Sequence, residues 1–140
     1  MLKNVNSIIE PELLYILAKM GHGDEVILSD IHFPAHSFNN NVLQARGCEV
    51  SDLANAITDL IELDQYVVDK AVMMQTVGDD VHPEGLVEEY VANLPVGTEI
   101  SFIERFAFYE RAKNASCVVV TGTTRKYGNL ILKKGVTPTN

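Results

Sequence analysis

Three of the chain's four histidines, His22, His32 and His36, fall in one window, Met20 to Ser37, which also holds Asp30. Histidine titrates closest to neutral pH and is the usual proton shuttle. Gly21 and Gly23 flank His22. They remove side chains on either side of the ring, which permits unusual backbone angles and close approach of a ligand. Asp30 follows a short apolar run, Glu25–Ser29, that reads as a strand. Strand ends are where α/β proteins place ligands. The window therefore reads as half of an acid–base site. Each residue also has a plainer use. His22 can answer the dipole of a helix that ends beside it, and Asp30 can cap the turn that follows it. His22, Asp30, His32 and His36 are chemically suited to zinc or iron, but their spacing matches no metal signature. No metal is expected, and His32 and His36 read as supporting or interface groups.

The second half is expected near the C-terminus. Arg105 sits in the stretch ERFAFYERA, and Tyr127-Gly128-Asn129 opens the last apolar run. Arg105 beside Glu104 can be a surface ion pair, which contributes little. Tyr-Gly-Asn is good turn chemistry. The same tripeptide offers a hydroxyl, a bare backbone and an amide, a mixture of donors and acceptors that suits a polyol. Phe106, Phe108 and Tyr109 read as core or interface, with Tyr109 a minor candidate for a sugar face. Glu110 and Arg111 read as solvated helix charges, and His82 as a solvated helix-start residue.

The elements that must hold these groups alternate between two periods. Pro11 suits a helix first turn. Leu13, Leu14, Ile16, Leu17 and Met20 follow at helical spacing, and Gly21 is placed to stop the helix. Phe33-Pro34-Ala35 breaks regular structure, Asn39–Asn41 is a polar turn, and Val42–Ala45 is a second strand. Ser51 can cap a helix whose apolar face runs from Leu53 to about Leu63. Ala71–Thr76 is a third strand, and Gly78-Asp79-Asp80 a turn. Pro83 opens a helix with Leu86, Val87, Tyr90 and Val91 on one face, ended by Pro95 and Gly97. Glu99–Glu104 is a fourth strand, Phe106–Ala115 a helix, Cys117–Val120 a fifth strand, and Gly122–Lys126 a loop. Leu130–Leu132 is the sixth strand. This alternation predicts an α/β fold in one domain, residues 1–140.

Composition narrows the partners. The chain has 140 residues, 46% hydrophobic and 21% charged, enough for a real core. Its net charge of −8 opposes binding to nucleic acid or anionic membrane, which need basic surface. No apolar run approaches the roughly 20 residues that span a bilayer. Cys48 and Cys117 are expected as free thiols in a reducing cytoplasm. Neither a dinucleotide nor a phosphate-loop glycine pattern is present, and no serine nucleophile elbow.

Taken together and in order, MGHGDEVILSDIHFPAHS, RFAFYERA and KYGNLILKKGVTP resemble the sugar mutarotase family that contains L-fucose mutarotase and ribose pyranase. The resemblance is close to the fucose branch and runs from Pro11 to the end of the chain. It implies a mixed sheet between helix layers, a three-layer α/β/α arrangement of about six strands. It implies that His22 is the proton donor, and that Asp30, Arg105, Tyr127, Gly128 and Asn129 bind the sugar. In the ribose branch a histidine stands at the place of Arg105. The implied reaction opens a hemiacetal and recloses it on the other carbonyl face, interconverting the anomers of L-fucose without cofactor or metal. The group that complements His22 stays open between water, Tyr127 and a histidine. The resemblance also implies a ring-shaped homo-oligomer, a decamer in relatives, with pockets near subunit contacts. His22 and Asn129 can then come from neighbouring chains. Pyranose–furanose exchange of ribose, a non-catalytic monosaccharide-binding module and a ring-forming scaffold are the alternatives.

Overall fold

The computed structural model describes residues 1–139. In chain order its elements are α1 (Pro11–Lys19), β1 (Glu25–Ser29), α2 (Ala35–Phe38), β2 (Val42–Ala45), α3 (Val50–Thr58) and β3 (Ala71–Met74). There follow α4 (Leu86–Ala92), β4 (Ser101–Ile103), α5 (Arg105–Asn114), β5 (Cys117–Thr121) and β6 (Leu130–Lys133). The six strands form one sheet in the order β2-β5-β1-β6-β3-β4. β1 and β2 both run parallel to β5, and β3 parallel to β4. β6 lies antiparallel between β1 and β3. The sheet is thus mixed, as expected, with β6 its only reversed strand.

The strands are apolar at nearly every position because both faces are covered. In β1, Val26 and Leu28 join a core with Leu13 and Leu17 of α1, Leu53 and Ile57 of α3, and Leu86 and Tyr90 of α4. Ile27, between them, joins a second core with Phe108 and Ala112 of α5 and Ala35 of α2. β3 and β5 divide the same way, Met73 against Val72 and Val119 against Val118. Alternation along a strand sends neighbours to opposite faces, so the two cores are the two sides of a three-layer sandwich.

Several boundaries differ from the sequence reading. Ser51 does not cap α3. It is buried in the first turn, and the helix starts one residue after Glu49, whose N–H donates to the Asp52 carboxylate (3.0 Å). α3 ends at Thr58, short of Leu63, because Leu60 and Ile61 turn back onto the Ile57 carbonyl. α4 begins at Leu86, not Pro83. The preceding segment is held against the sheet edge, where a His82 ring nitrogen meets the Met74 carbonyl (3.0 Å). Arg111, expected as a solvated charge, binds Glu25 and Asp69. Lys133 lies 3.8 Å from Glu25 and 3.6 Å from Asp69. This cluster fastens α5 to the start of β1.

Five parallel strands give the sheet two distinct edges. The carboxyl edge carries Asp30 after β1, Gln75 after β3, Arg105 after β4, Thr123 after β5 and the Tyr127–Asn129 turn before β6. The amino edge carries His22 before β1, beside Leu63, which bridges Lys134. β1 is five residues long, so the edges stand roughly 16 Å apart at about 3.3 Å per residue.

Candidate active site

The carboxyl edge gathers four of the six expected site residues around one interaction. Asp30 is buried. Its Oδ1 accepts from the His32 backbone N–H (2.9 Å) and its Oδ2 from the Gly128 N–H (3.1 Å). Its own N–H donates to Asn129 Oδ1 (2.9 Å). The turn-capping use foreseen for Asp30 is therefore real, and it coexists with a lock between the ends of β1 and β6. Burial pushes the Asp30 carboxyl above its ordinary 3.8, and the N–H groups of His32 and Gly128 oppose that shift. Each carboxylate oxygen still has a second lone pair for a sugar hydroxyl, and Asn129 keeps its amide hydrogens as donors.

Tyr127 completes this group in a costly conformation. It is one of two non-glycine residues with positive φ (60°) among the described residues, a left-handed state that persists only when its surroundings enforce it. Its hydroxyl accepts from the Val77 N–H (3.2 Å). Its ring meets His82 edge-on, centroids 5.7 Å apart. His82 is thus no solvated helix-start residue; it packs between Tyr127 and Phe102 (5.4 Å). Asp30, His32, Phe33, Pro34, Met74, Tyr109, Lys126, Tyr127 and Asn129 line an open cleft of about 190 Å³. His32 accordingly belongs to the cleft wall. A ring nitrogen of His32 meets the Thr124 carbonyl (3.0 Å).

Gly128 is required by space. A Cβ there would sit 2.8 Å from the Arg125 carbonyl and 3.1 Å from the Tyr90 hydroxyl. That hydroxyl is the residue the sequence reading missed. Tyr90 lies on the apolar face of α4, as its spacing predicts, and is fully buried there, yet it donates to the Gly128 carbonyl (2.8 Å). Buried tyrosine hydroxyls need a partner, which is the only sequence signal that singles out Tyr90. Arg125 adds a second tie from the same loop, with both its terminal nitrogens on Glu89 of α4 (3.2 and 2.6 Å). Tyr90→Phe should fold and lose about 1–3 kcal/mol, because it orphans a buried carbonyl. Urea unfolding will show this as a lower midpoint with an unchanged slope.

Arg105 occupies an adjoining cleft of about 250 Å³ with Gln75, Thr76, Val77, Glu104 and Phe106. Val77 is shared ground, since its N–H holds the Tyr127 hydroxyl. The plainer alternative for Arg105, a surface ion pair with Glu104, does not form. Glu104 caps α5 instead, accepting from Phe106 and Ala107 N–H (2.9 and 3.2 Å). The Arg105 guanidinium lies over the Phe106 ring, 4.7 Å from its centroid, and no carboxylate pairs with it among the described residues. It is exposed and available to an oxygen-rich ligand.

His22 is the residue that the fold sets apart. It lies on the amino edge, so one chain does not bring it to Asp30. Within one chain His22, Asp30, His32 and His36 therefore do not form one cluster. Gly23 takes the left-handed φ (89°) that its position requires, which lets its N–H reach the Lys134 carbonyl (2.8 Å). The His22 ring is half exposed; its Nε2 lies 3.1 Å from Asp64 Oδ1.

Comparison with known proteins agrees with this architecture. Residues 3–137 match the RbsD / FucU transport protein family. A protein of Actinobacillus pleuropneumoniae serotype 5b (strain L20) named L-fucose mutarotase is 49% identical over 142 residues, which cover 99% of each chain. FucU from Bifidobacterium longum superposes with a TM-score of 0.91 at 38% identity, covering 97% of this chain and all of that one. The fucose mutarotase of Streptococcus pneumoniae, solved in complex with L-fucose, superposes with a TM-score of 0.87 at 37% identity, covering 98% and 100%. The chain belongs to the RbsD / FucU family.

Proposed function

We propose that this protein is an isomerase that interconverts the α and β anomers of L-fucose. The observation that carries the reading is the buried Asp30–Asn129 lock, which presents a carboxylate, an amide, a tyrosine and a bare glycine backbone at the sheet's carboxyl edge. Relatives close to half identical over their full length are named L-fucose mutarotase, and a similar structure holds L-fucose. Asp30, Tyr127, Gly128 and Asn129 bind and orient the sugar, and Arg105 engages its outer hydroxyls. His22 gives a proton to the ring oxygen as the C1–O5 bond breaks and its electron pair moves to O5. The anomeric hydroxyl passes its proton to a water entering the open cleft and becomes the aldehyde. Rotation about C1–C2 and the reverse transfers close the other anomer.

In this proposal His22 reaches the sugar from a neighbouring copy of the chain. Both edges carry exposed apolar residues that suit such a junction. Val77, Val81, Phe102 and Phe106 are exposed at the carboxyl edge, and Tyr66, Val68 and Val136 in the segments at the amino edge. Joining unlike edges head to tail closes a ring when the rotation between copies permits. The two free cysteines suit a reducing cytoplasm.

Saturation-transfer proton NMR on equilibrated L-fucose tests the activity, with D-ribose in parallel. Saturating the α-anomer signal should deplete the β signal only when protein is present, and more for L-fucose than for D-ribose. A better response from D-ribose would favour pyranose–furanose exchange. Line broadening without transfer would identify a binding module.

A further inference from the structure

The amino edge holds a pair whose geometry goes beyond placing His22. Asp64 is nine-tenths buried or more, at 3% exposure. Its Oδ1 faces His22 Nε2 at 3.1 Å and also accepts from the Tyr66 N–H (3.1 Å). Burial alone would push this carboxyl up, but the Tyr66 N–H, the His22 ring and the nearby Lys133 outweigh it and hold it below its ordinary 3.8. Asp64 is therefore a carboxylate near neutral pH, and a carboxylate only accepts hydrogen bonds. The hydrogen between the two groups must sit on Nε2.

We propose that Asp64 is the positioning residue for His22: it fixes the ring with hydrogen on Nε2 and leaves Nδ1 as the nitrogen that exchanges protons with the sugar. This rests on the catalytic role given to His22 above. The pair is not needed to tie the edge together, because backbone bonds already do so. The Asp64 N–H donates to the Lys133 carbonyl (2.9 Å), and the Gly23 N–H to the Lys134 carbonyl (2.8 Å). The Tyr66 ring packs beside the imidazole, centroids 5.5 Å apart and tilted by 54°, which limits its rotation about the Asp64 contact. A half-exposed ring held at one nitrogen and walled on one side presents the other nitrogen in a set direction. Before the transfer the ring is an imidazolium, which the buried carboxylate opposite stabilises in place; Nδ1–H gives its proton to the ring oxygen, and the neutral ring that results keeps its hydrogen on Nε2. The same arrangement of acceptor, imidazole and reacting oxygen recurs in hydrolases on unrelated folds.

Two measurements test this. In ¹⁵N-labelled wild-type protein, long-range ¹H–¹⁵N correlation, assigned with His22→Ala, should place the neutral hydrogen of His22 on Nε2; a hydrogen on Nδ1 would overturn the proposal. Asp64→Asn keeps an oxygen for Tyr66 N–H and for Nε2–H but removes the charge. It should lower kcat for L-fucose anomer exchange by up to about 10²-fold and leave KM within about twofold, since Asp64 does not touch the sugar. An unchanged kcat in folded Asp64→Asn, beside an inactive His22→Ala, would overturn the role of Asp64 and leave His22 standing. Full activity in His22→Ala would overturn the catalytic reading of His22 and this proposal with it.

Discussion

His22→Ala is expected to slow L-fucose anomer exchange by about 10²–10⁴-fold, the range that a positioned acid–base group supplies. Spontaneous mutarotation and the sugar-binding edge remain, so the loss should fall on kcat and leave KM nearly unchanged. The fold should survive. The His22 side chain is half exposed and removing it opens no core cavity. The backbone around it stays fastened to β6 through the Gly23 and Asp64 N–H groups. Asp64 keeps the Tyr66 N–H, so the stability cost is about 1–2 kcal/mol. Anomer exchange by saturation transfer, with a thermal melt on the same sample, checks both parts. Wild-type exchange from folded His22→Ala would remove His22 from the mechanism.

Asp30→Asn should be nearly as damaging, for a different reason. Both carboxylate oxygens accept a backbone N–H, one from His32 and one from Gly128. An asparagine can satisfy only one of them, and its NH₂ then faces the other N–H donor to donor. A buried polar group left without its partner costs about 1–3 kcal/mol, offset in part because the buried charge is gone. Gly128 loses its anchor, and with it the Tyr127–Asn129 turn loses its registration on β1. We expect kcat/KM to fall by about 10²-fold or more, because small displacements of positioning groups have effects of that size. Weaker L-fucose binding by titration should accompany the loss, in contrast to His22→Ala. Tight sugar binding by Asp30→Asn would place the sugar away from this lock.

Some of this was legible in the residues themselves. β1, β2 and the identity of α5 as a helix follow from apolar period and flanking turns, because both sheet faces are buried and the strands advertise it. Asp30 and Asn129 were legible as candidates, Asp30 from the strand that ends before it and Asn129 from the mixed donors and acceptors of its tripeptide and the family resemblance. Their mutual hydrogen bond was not, because 99 residues separate them and only the antiparallel placement of β6 beside β1 joins them. His82 was misread for the same kind of reason: local sequence shows a histidine before a proline, and only the sheet edge supplies Met74, Phe102 and Tyr127 around it. Tyr90 and Asp64 escaped because nothing in their local sequence marks them, and each acts through one atom on a partner far along the chain, Gly128 and His22. The separation of His22 from the carboxyl edge is a matter of strand direction, which no spacing rule reveals.

That separation makes the central claim directly testable by mixing two dead proteins. His22→Ala retains an intact carboxyl edge, and Asp30→Asn an intact amino edge. Unfolded together in equal amounts and refolded, they should assemble at random. About a quarter of head-to-tail junctions then join an intact His22 edge to an intact Asp30 edge. The mixture should recover about a quarter of wild-type L-fucose anomer exchange, while each variant refolded alone stays inactive. A mixture that assembles like wild type but remains as inactive as its parents would contradict a site built from two chains.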